Sequence, residues 1–242
     1  MPLLECNGVD MRFGGLHALS DVSITAEAGA ITGLIGPNGA GKTTLFNCIT
    51  GMIDPTGGRI VVAGTDVTGI PPFKRARLGI SRTFQRLELF TSLSVIENIR
   101  VAGTIRNRWS KDRSDVNDEA ERIVDLIGIR HLASREVSEI PTGMARRVEL
   151  GRALMTKPKL LLLDEPASGQ DEAETEEFGN LLVQLAEQGT GILLVEHDVS
   201  LVMNVCTQIS VLDFGVIIAR GTPQEIQRND AVIAAYLGEA PL

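Results

Sequence analysis

Residues 36–44, Gly36-Pro37-Asn38-Gly39-Ala40-Gly41-Lys42-Thr43-Thr44, are the stretch whose types and spacing point most directly to chemistry. They fit the pattern G-x-x-x-x-G-K-S/T at every fixed position. The glycines let successive backbone N–H groups turn inward around a phosphate, and a helix starting here adds its partial positive charge. Asn38, Gly39, Ala40, Gly41 and Thr44 are then candidate phosphate contacts. Lys42 can reach the β- and γ-phosphates, and the Thr43 hydroxyl can ligate Mg2+. Ile31–Ile35, before the loop, is short, apolar and partly β-branched, as a strand would be. Residues 44–50 place apolar side chains at 45, 46, 48 and 49 and stop at Gly51, as a helix would. A glycine-rich turn with no ligand is the bland alternative, and the flanking elements argue against it. The stretch binds a nucleoside triphosphate.

Other segments could meet this loop. Lys159-Leu160-Leu161-Leu162-Leu163 is a continuous apolar run, as expected for a strand buried on both faces of a parallel sheet. It ends in Asp164-Glu165, which places both acids at the carboxyl edge, where ligands bind in open α/β folds. Successive strand residues point to opposite sides, so Asp164 can serve a Mg2+ shell while Glu165 faces an attacking water. Solvated strand-end acids are the alternative. Ile192–Glu196 is a second such strand, and His197 follows it. A lone histidine is commonly structural, but here a polar contact to the γ-phosphate is open to it. Gln85 offers a neutral amide that could order the lytic water or a metal ligand, although its spacing alone does not single it out.

The elements that must position these residues read as follows. Residues 3–10, 19–26 and 58–64 are short and β-like, separated by turn signals, and predict an antiparallel sheet beside the nucleotide core. Phe13 lies in the first connection, where it either fills the sheet edge or stacks on an adenine ring. Residues 72–84 carry Lys74, Arg75, Arg77 and Arg82 around apolar positions and lead to Gln85. The spacing predicts a helix after Leu93, with Ser94 and Glu97 as a capping box. Segment 103–118 mixes Arg106, Arg108, Lys111 and Arg113 with Asp112, Asp115 and Asp118 around Trp109. It reads as a solvated loop, with a partner-contact surface as the sharper alternative. Helical periodicity returns from Glu119 to Ile129, so 86–155 reads as helical inside an α/β chain. A helix over 171–187, strands at 191–195 and 208–213, a helix near 199–206, a turn into 216–219 and short helices near 223–228 and 230–237 continue the alternation.

Composition sets limits. A chain of 242 residues suffices for one core plus a subdomain. Its net charge of -8 argues against a sequence-independent nucleic-acid binder, which needs a basic face. No apolar run approaches the roughly 20 residues that cross a bilayer. No signal peptide is evident, and Cys6, Cys48 and Cys206, far apart and without CxxC spacing, read as core residues in a reducing compartment. The cytoplasm is the default.

Gly36–Thr44, Gln85, Leu160–Pro166, Ser168-Gly169-Gln170-Asp171 and His197, in this order, resemble the nucleotide-binding subunit of an ABC transporter over nearly the whole chain. The resemblance implies a P-loop ABC-type cassette: a RecA-like α/β core with a small antiparallel sheet (3–85 and 156–242) and an inserted helical subdomain (86–155). It implies that Phe13 is similar to the adenine-stacking aromatic, Gln85 to the glutamine that senses a permease, and Glu165 to the general base. Asp171 then resembles the D-loop aspartate and His197 the switch histidine. The family's L-S-G-G-Q signature is replaced by Ile140-Pro141-Thr142-Gly143-Met144, so the serine hydroxyl and glutamine amide are missing, while the helix N-terminus and the Gly143 N–H remain. Thr142, Gly143 and Met144 would face ATP held by a second ATPase subunit.

Phe13-Gly14-Gly15-Leu16, Thr44–Gly51, Arg82-Thr83-Phe84-Gln85, Glu196–Met203 and the tail Ala231–Gly238 are similar to the ATPases of branched-chain amino-acid importers. That implies ATP and Mg2+, a cytoplasmic homo- or heterodimer under membrane permease subunits, and a separate solute-binding protein. Lipopolysaccharide-export, urea or amide transporters and non-transport ATPases of the family are the alternatives. A GTPase should carry N-K-x-D, and none of the nine asparagines is followed by lysine.

Overall fold

The computed structural model describes residues 2–112 and 114–237. Arg113 of the charged segment and the end of the tail string at Gly238 lie outside them. The chain runs through β1 (Leu4–Phe13), β2 (Leu16–Ala26), β3 (Ile31–Ile35), α1 (Lys42–Thr50), β4 (Gly57–Val62), β5 (Thr65–Asp66), α2 (Pro72–Arg77) and β6 (Ile80–Arg82). Helices α3 (Val95–Asn107), α4 (Val116–Leu126) and α5 (Thr142–Leu154) follow. Then come β7 (Leu160–Asp164), α6 (Glu172–Glu187), β8 (Gly191–Val195), α7 (Val199–Val205), β9 (Gln208–Asp213), β10 (Val216–Gly221), α8 (Pro223–Gln227) and α9 (Asp230–Leu237).

These elements form two sheets. One is antiparallel with order β2-β1-β4-β5, and the other has order β10-β9-β3-β8-β7-β6. In the second, β9, β3, β8, β7 and β6 pair in parallel and β10 closes one edge antiparallel. The chain is therefore an α/β fold with a parallel core, a smaller antiparallel sheet and a helical layer between β6 and β7.

The leucine run shows why the parallel sheet sits in the middle. Leu160 and Leu162 enter the core beneath α1 and the antiparallel sheet, while Leu161 and Leu163 enter the core shared with α6 and α5. Strand β8 divides the same way, with Leu193 and Val195 on the first face and Ile192 and Leu194 on the second. The period of two, apolar on both sides, can be satisfied only between two packed layers. Each fully buried leucine contributes about 1.5–3 kcal/mol.

Ser94 caps α3 as expected: its hydroxyl accepts from the Glu97 N–H while the Glu97 carboxylate accepts from the Ser94 N–H. Residues 72–84 form α2 and the edge strand β6, which the dense charge there hid from the sequence pattern. Fully buried Arg75 is the reason the segment folds inward. Its guanidinium donates to the Cys48, Ile49 and Ile70 carbonyls at 2.6–2.8 Å, tying α2 to the end of α1.

Segment 103–118 is a solvated loop only in part: Arg108, Lys111 and Asp115 are exposed between α3 and α4. Its first part is the end of α3, and Arg106 is only 2% exposed. Arg106 donates to the Met155 carbonyl at 2.8 Å and to the Ser114 hydroxyl and Glu119 carboxylate at 2.9 Å each. Lys157 completes the cluster by pairing with Asp112 and Glu119, and its ammonium holds the Asp112 carboxyl well below the usual carboxylate range. The Arg106–Glu119 pair is buried, while Asp112 and Lys157 stay partly exposed beside it.

Arg106→Ala is expected to remove about 3 kcal/mol of stability in urea denaturation, because it takes the buried cation from the Glu119 carboxylate and the donor from the Met155 carbonyl, leaving only half-exposed Lys157 and Ser114 on Glu119; a solvated arginine would change it by less than about 0.5 kcal/mol. All three cysteines are buried, and burial pushes the Cys48 thiol up to about 11 and Cys206 to about 12. Iodoacetamide at pH 8 should label none of them in the native protein and all three in guanidinium, read by mass spectrometry. Labelling of native Cys206 would show that its site opens.

Candidate active site

Parallel pairing of β3 with β8 and of β8 with β7 puts three strand ends side by side. The loop 36–41 leaves β3, Asp164-Glu165 ends β7, and Glu196-His197 follows β8. Neighbouring strands lie about 4.8 Å apart, so the three ends share one edge. A cavity of about 520 Å3 opens there, lined by Phe13, residues 38–44, Gln85, Asp164, Glu165 and Phe214 among others. A groove of about 610 Å3 between α6 and α7 is larger. Volume does not select the site; the convergence of chemically able groups does.

The phosphate loop has the required backbone. Gly36, Gly39 and Gly41 have φ of 153°, 81° and 110°. A methyl group at Gly36 would overlap the Leu212 carbonyl oxygen, and one at Gly41 would sit 2.8 Å from the Ala18 carbonyl. Helix α1 starts at Lys42 with no side-chain cap and no acid in its first turn, leaving its N–H groups for an anion. The buried Lys42 ammonium donates to the Gly36 and Pro37 carbonyls at 2.6 and 2.9 Å, bracing the loop from within. Phe13 ends β1 and is 48% exposed on the cavity wall rather than packed into the sheet edge. Phe214 shares that wall, 87% exposed, with φ of +43°.

The acids divide as strand alternation requires. Asp164 is buried, and its Oδ2 accepts from Arg82 Nη2 at 2.8 Å. Glu165 adopts φ of +51°, a left-handed conformation costly for a residue with a side chain, and its N–H donates to the Val195 carbonyl at 2.9 Å. Its carboxylate lies 2.7 Å from His197 Nε2 and accepts from Gln85 Nε2 at 3.2 Å on each oxygen. Gln85, Glu165 and His197, far apart in sequence, thus form one hydrogen-bonded group.

Sequence reasoning missed three supports of the site. Glu196 is buried and accepts from the Ala167 N–H at 2.7 Å and the His197 N–H at 3.0 Å, tying the turn after Glu165 to the histidine; burial raises its pKa. Arg146 on α5 donates to the Phe84 and Gln85 carbonyls and to Glu149. Arg82 grips Asp164. None has a spacing signal, although Arg82 sits three residues before Gln85.

Thr43, Asp164 and Gln85 supply a hydroxyl, a carboxylate and an amide in the same cavity. Among the described residues no group of three or more His, Cys, Asp or Glu could hold a metal ion. A sparse oxygen set of this kind suits Mg2+, which takes its remaining ligands from water and phosphate. The residues fit the ion.

Thr142, Gly143, Met144 and Asp171 do not join this cavity. Helix α5 begins at Thr142 after Pro141, with no side-chain cap. Gly143 packs against the 169–174 turn, where a Cβ would lie 3.0 Å from Gln170 Cγ. Asp171 caps α6, its carboxylate accepting from the Glu174 N–H at 2.8 Å.

Comparison with known proteins bears on the family and the fold. The ABC transporter family model matches residues 19–168, and a model for the branched-chain amino acid ATP-binding cassette transporter matches residues 216–241. The chain is 43% identical, over 99% of both chains, to the high-affinity branched-chain amino acid transport ATP-binding protein LivG of Salmonella typhimurium. It is 33% identical, over 99% of this chain and 98% of the relative, to the lipopolysaccharide export system ATP-binding protein LptB of Haemophilus influenzae. The crystal structure of the ADP conformation of an ATP-binding cassette of an ABC transporter superposes with a TM-score of 0.88 at 31% identity, covering 99% of this chain and 100% of that one. With the phosphate loop, the strand-end acids and the full-length likeness in agreement, the chain belongs to the ABC transporter family as an ATP-binding cassette.

Proposed function

We propose that this chain hydrolyses ATP with Mg2+ and that the turnover drives import of branched-chain amino acids through membrane permease subunits. The observation that carries the hydrolytic reading is the group at the mouth of the phosphate loop: Glu165 held by His197 at 2.7 Å and by Gln85. Glu165 accepts a proton from water as that water attacks the γ-phosphorus in line, and the bond to the bridging oxygen breaks to leave ADP and phosphate. Lys42 turns from its own loop carbonyls to the β- and γ-phosphates. His197 bridges Glu165 and the γ-phosphate, and Gln85 orders the water. Thr43 and Asp164, with Gln85, would hold Mg2+, which would supply charge neutralisation at the phosphates. Phe13 stacks on adenine, adding about 1–3 kcal/mol.

The placement of Thr142, Gly143, Met144 and Asp171 off this cavity supports a site completed by a second ATPase subunit, the same or a related chain. The core at 3–85 and 156–242 then holds nucleotide, and the helical insert 86–155 carries the signature loop. No helix of the described residues is long and apolar enough to cross a membrane. The reading therefore places the chain at the inner membrane face, held by a permease that receives solute from a binding protein. The solute class rests on the higher identity to the amino acid transport relative and on the C-terminal match.

Glu165→Gln is expected to lower kcat about 10²–10⁴-fold while ATP affinity stays within about twofold; equal turnover would remove Glu165 from the mechanism. For the pairing, specific ATPase activity of the purified chain should climb steeply with protein concentration if two copies complete the sites. Flat, negligible activity with normal ATP binding assigns completion to a different subunit. Vesicles holding the chain with its permease should take up labelled leucine in an ATP-dependent way. Lipopolysaccharide extraction instead would overturn the import reading.

A further inference from the structure

The contact of Arg82 with Asp164 has so far been given no consequence for binding, and its surroundings set it apart from an ordinary strand-edge arginine. Ile80 and Arg82 occupy the face of β6 turned toward α1, and the Arg82 side chain is only 6% exposed. Its fork reaches two separate acceptors: Nη1 donates to Asn47 Oδ1 on α1 at 2.5 Å, and Nη2 donates to Asp164 Oδ2 at 2.8 Å. The guanidinium carbon lies 5.3 Å from the Phe46 ring centroid and 5.0 Å from that of Phe84, next to Gln85. The adjacent Thr83 hydroxyl accepts from the Asp164 N–H at 3.3 Å. The last residue of β6 and the residue after it therefore hold Asp164, Arg82 at its carboxylate and Thr83 at its backbone N–H.

We propose that Arg82 is a positioning residue for the metal-site carboxylate: it fixes Asp164 in the phosphate cavity, ties it to the phosphate-loop helix through Asn47, and so sets how much Mg2+ adds to ATP affinity. The proposal rests on the ATP- and Mg2+-binding reading above. A carboxylate serving a Mg2+ shell must be held in one rotamer before the ion arrives, and a planar guanidinium donating to one of its oxygens while anchored on Asn47 does so. The planar fork suits the task because Asn47 and Asp164 belong to different elements; an ammonium on a flexible stem would not hold both acceptors in fixed directions. The rings on either side restrict the guanidinium further. A plain structural brace between β6, β7 and α1 would have a different signature, with stability and metal-free nucleotide affinity falling together.

The test is isothermal titration of ATP, with EDTA and with Mg2+, on wild type, Arg82→Gln, Arg82→Lys, Asp164→Asn and the Arg82→Gln/Asp164→Asn double variant, each checked for folding by circular dichroism. Wild type should bind ATP more tightly with Mg2+. Arg82→Gln should cut that gain about tenfold while changing affinity in EDTA by less than about twofold. Arg82→Lys should fall between the two, and it carries the comparison if the glutamine variant does not fold. Asp164→Asn should lose the same gain and the double variant no more, because both substitutions act through one carboxylate. An undiminished Mg2+ gain in the Arg82 variants, or equal losses in EDTA and Mg2+, would overturn the proposal. Absence of ATP binding by wild type would count against the functional reading instead.

Discussion

Parallel hydrogen bonding of β7 to β8, and of β8 to β3, brings the last residues of three distant segments to one edge of one sheet. Leu160 pairs with Gly191, Asp164 with Val195, and Gly33 with Leu194, so the phosphate loop, the acids and His197 emerge on neighbouring strands. A one-residue slip of β7 would move its alternate leucines between the two cores and turn Asp164 away from α1. Because both faces are filled, such a slip is opposed on both sides. Apolar packing sets which strand ends meet, and the site's polar contacts then orient the groups on them.

Buried guanidinium groups form the second layer of support. Arg75 caps the carbonyl end of α1, Arg106 holds α3 to α4 and to the end of α5, and Arg146 holds residues 84–85 against α5. Each donates to backbone carbonyls, and Arg106 and Arg146 pair with a carboxylate as well. Taking a guanidinium out of water is costly, and several directed hydrogen bonds are what offset it. In return each arginine joins elements that share no strand pairing, which apolar contacts alone would leave free to slide.

Glu165 shows what this support achieves. Its left-handed backbone is unfavourable by about 1–3 kcal/mol and persists only where the surroundings over-determine it. Its N–H is taken by the Val195 carbonyl, the following turn is tied through Ala167 to Glu196, and Glu196 also takes the His197 N–H. The backbone turn thus aims the Glu165 carboxylate at His197 and Gln85, where a relaxed strand end would direct it elsewhere.

Much of this was legible in the sequence because it is local. The phosphate loop depends on a few glycines and the two elements beside them; the leucine run announces a doubly buried strand; the Ser94–Glu97 capping box needs four residues. Arg106 in segment 103–118 was misread because charge alternation looks the same whether the partners are water or one another. Arg106 is buried only because Met155, Ser114 and Glu119 arrive from elsewhere to receive it. Arg82, Arg146 and Glu196 carry no spacing signal for the same reason, since each acts on groups dozens of residues away. The sequence by itself determined which residues could do phosphate chemistry and which strands would be central, because those depend on residue type and short-range period. Only the tertiary structure decided which of them meet, because parallel pairing joins residues with no fixed separation along the chain.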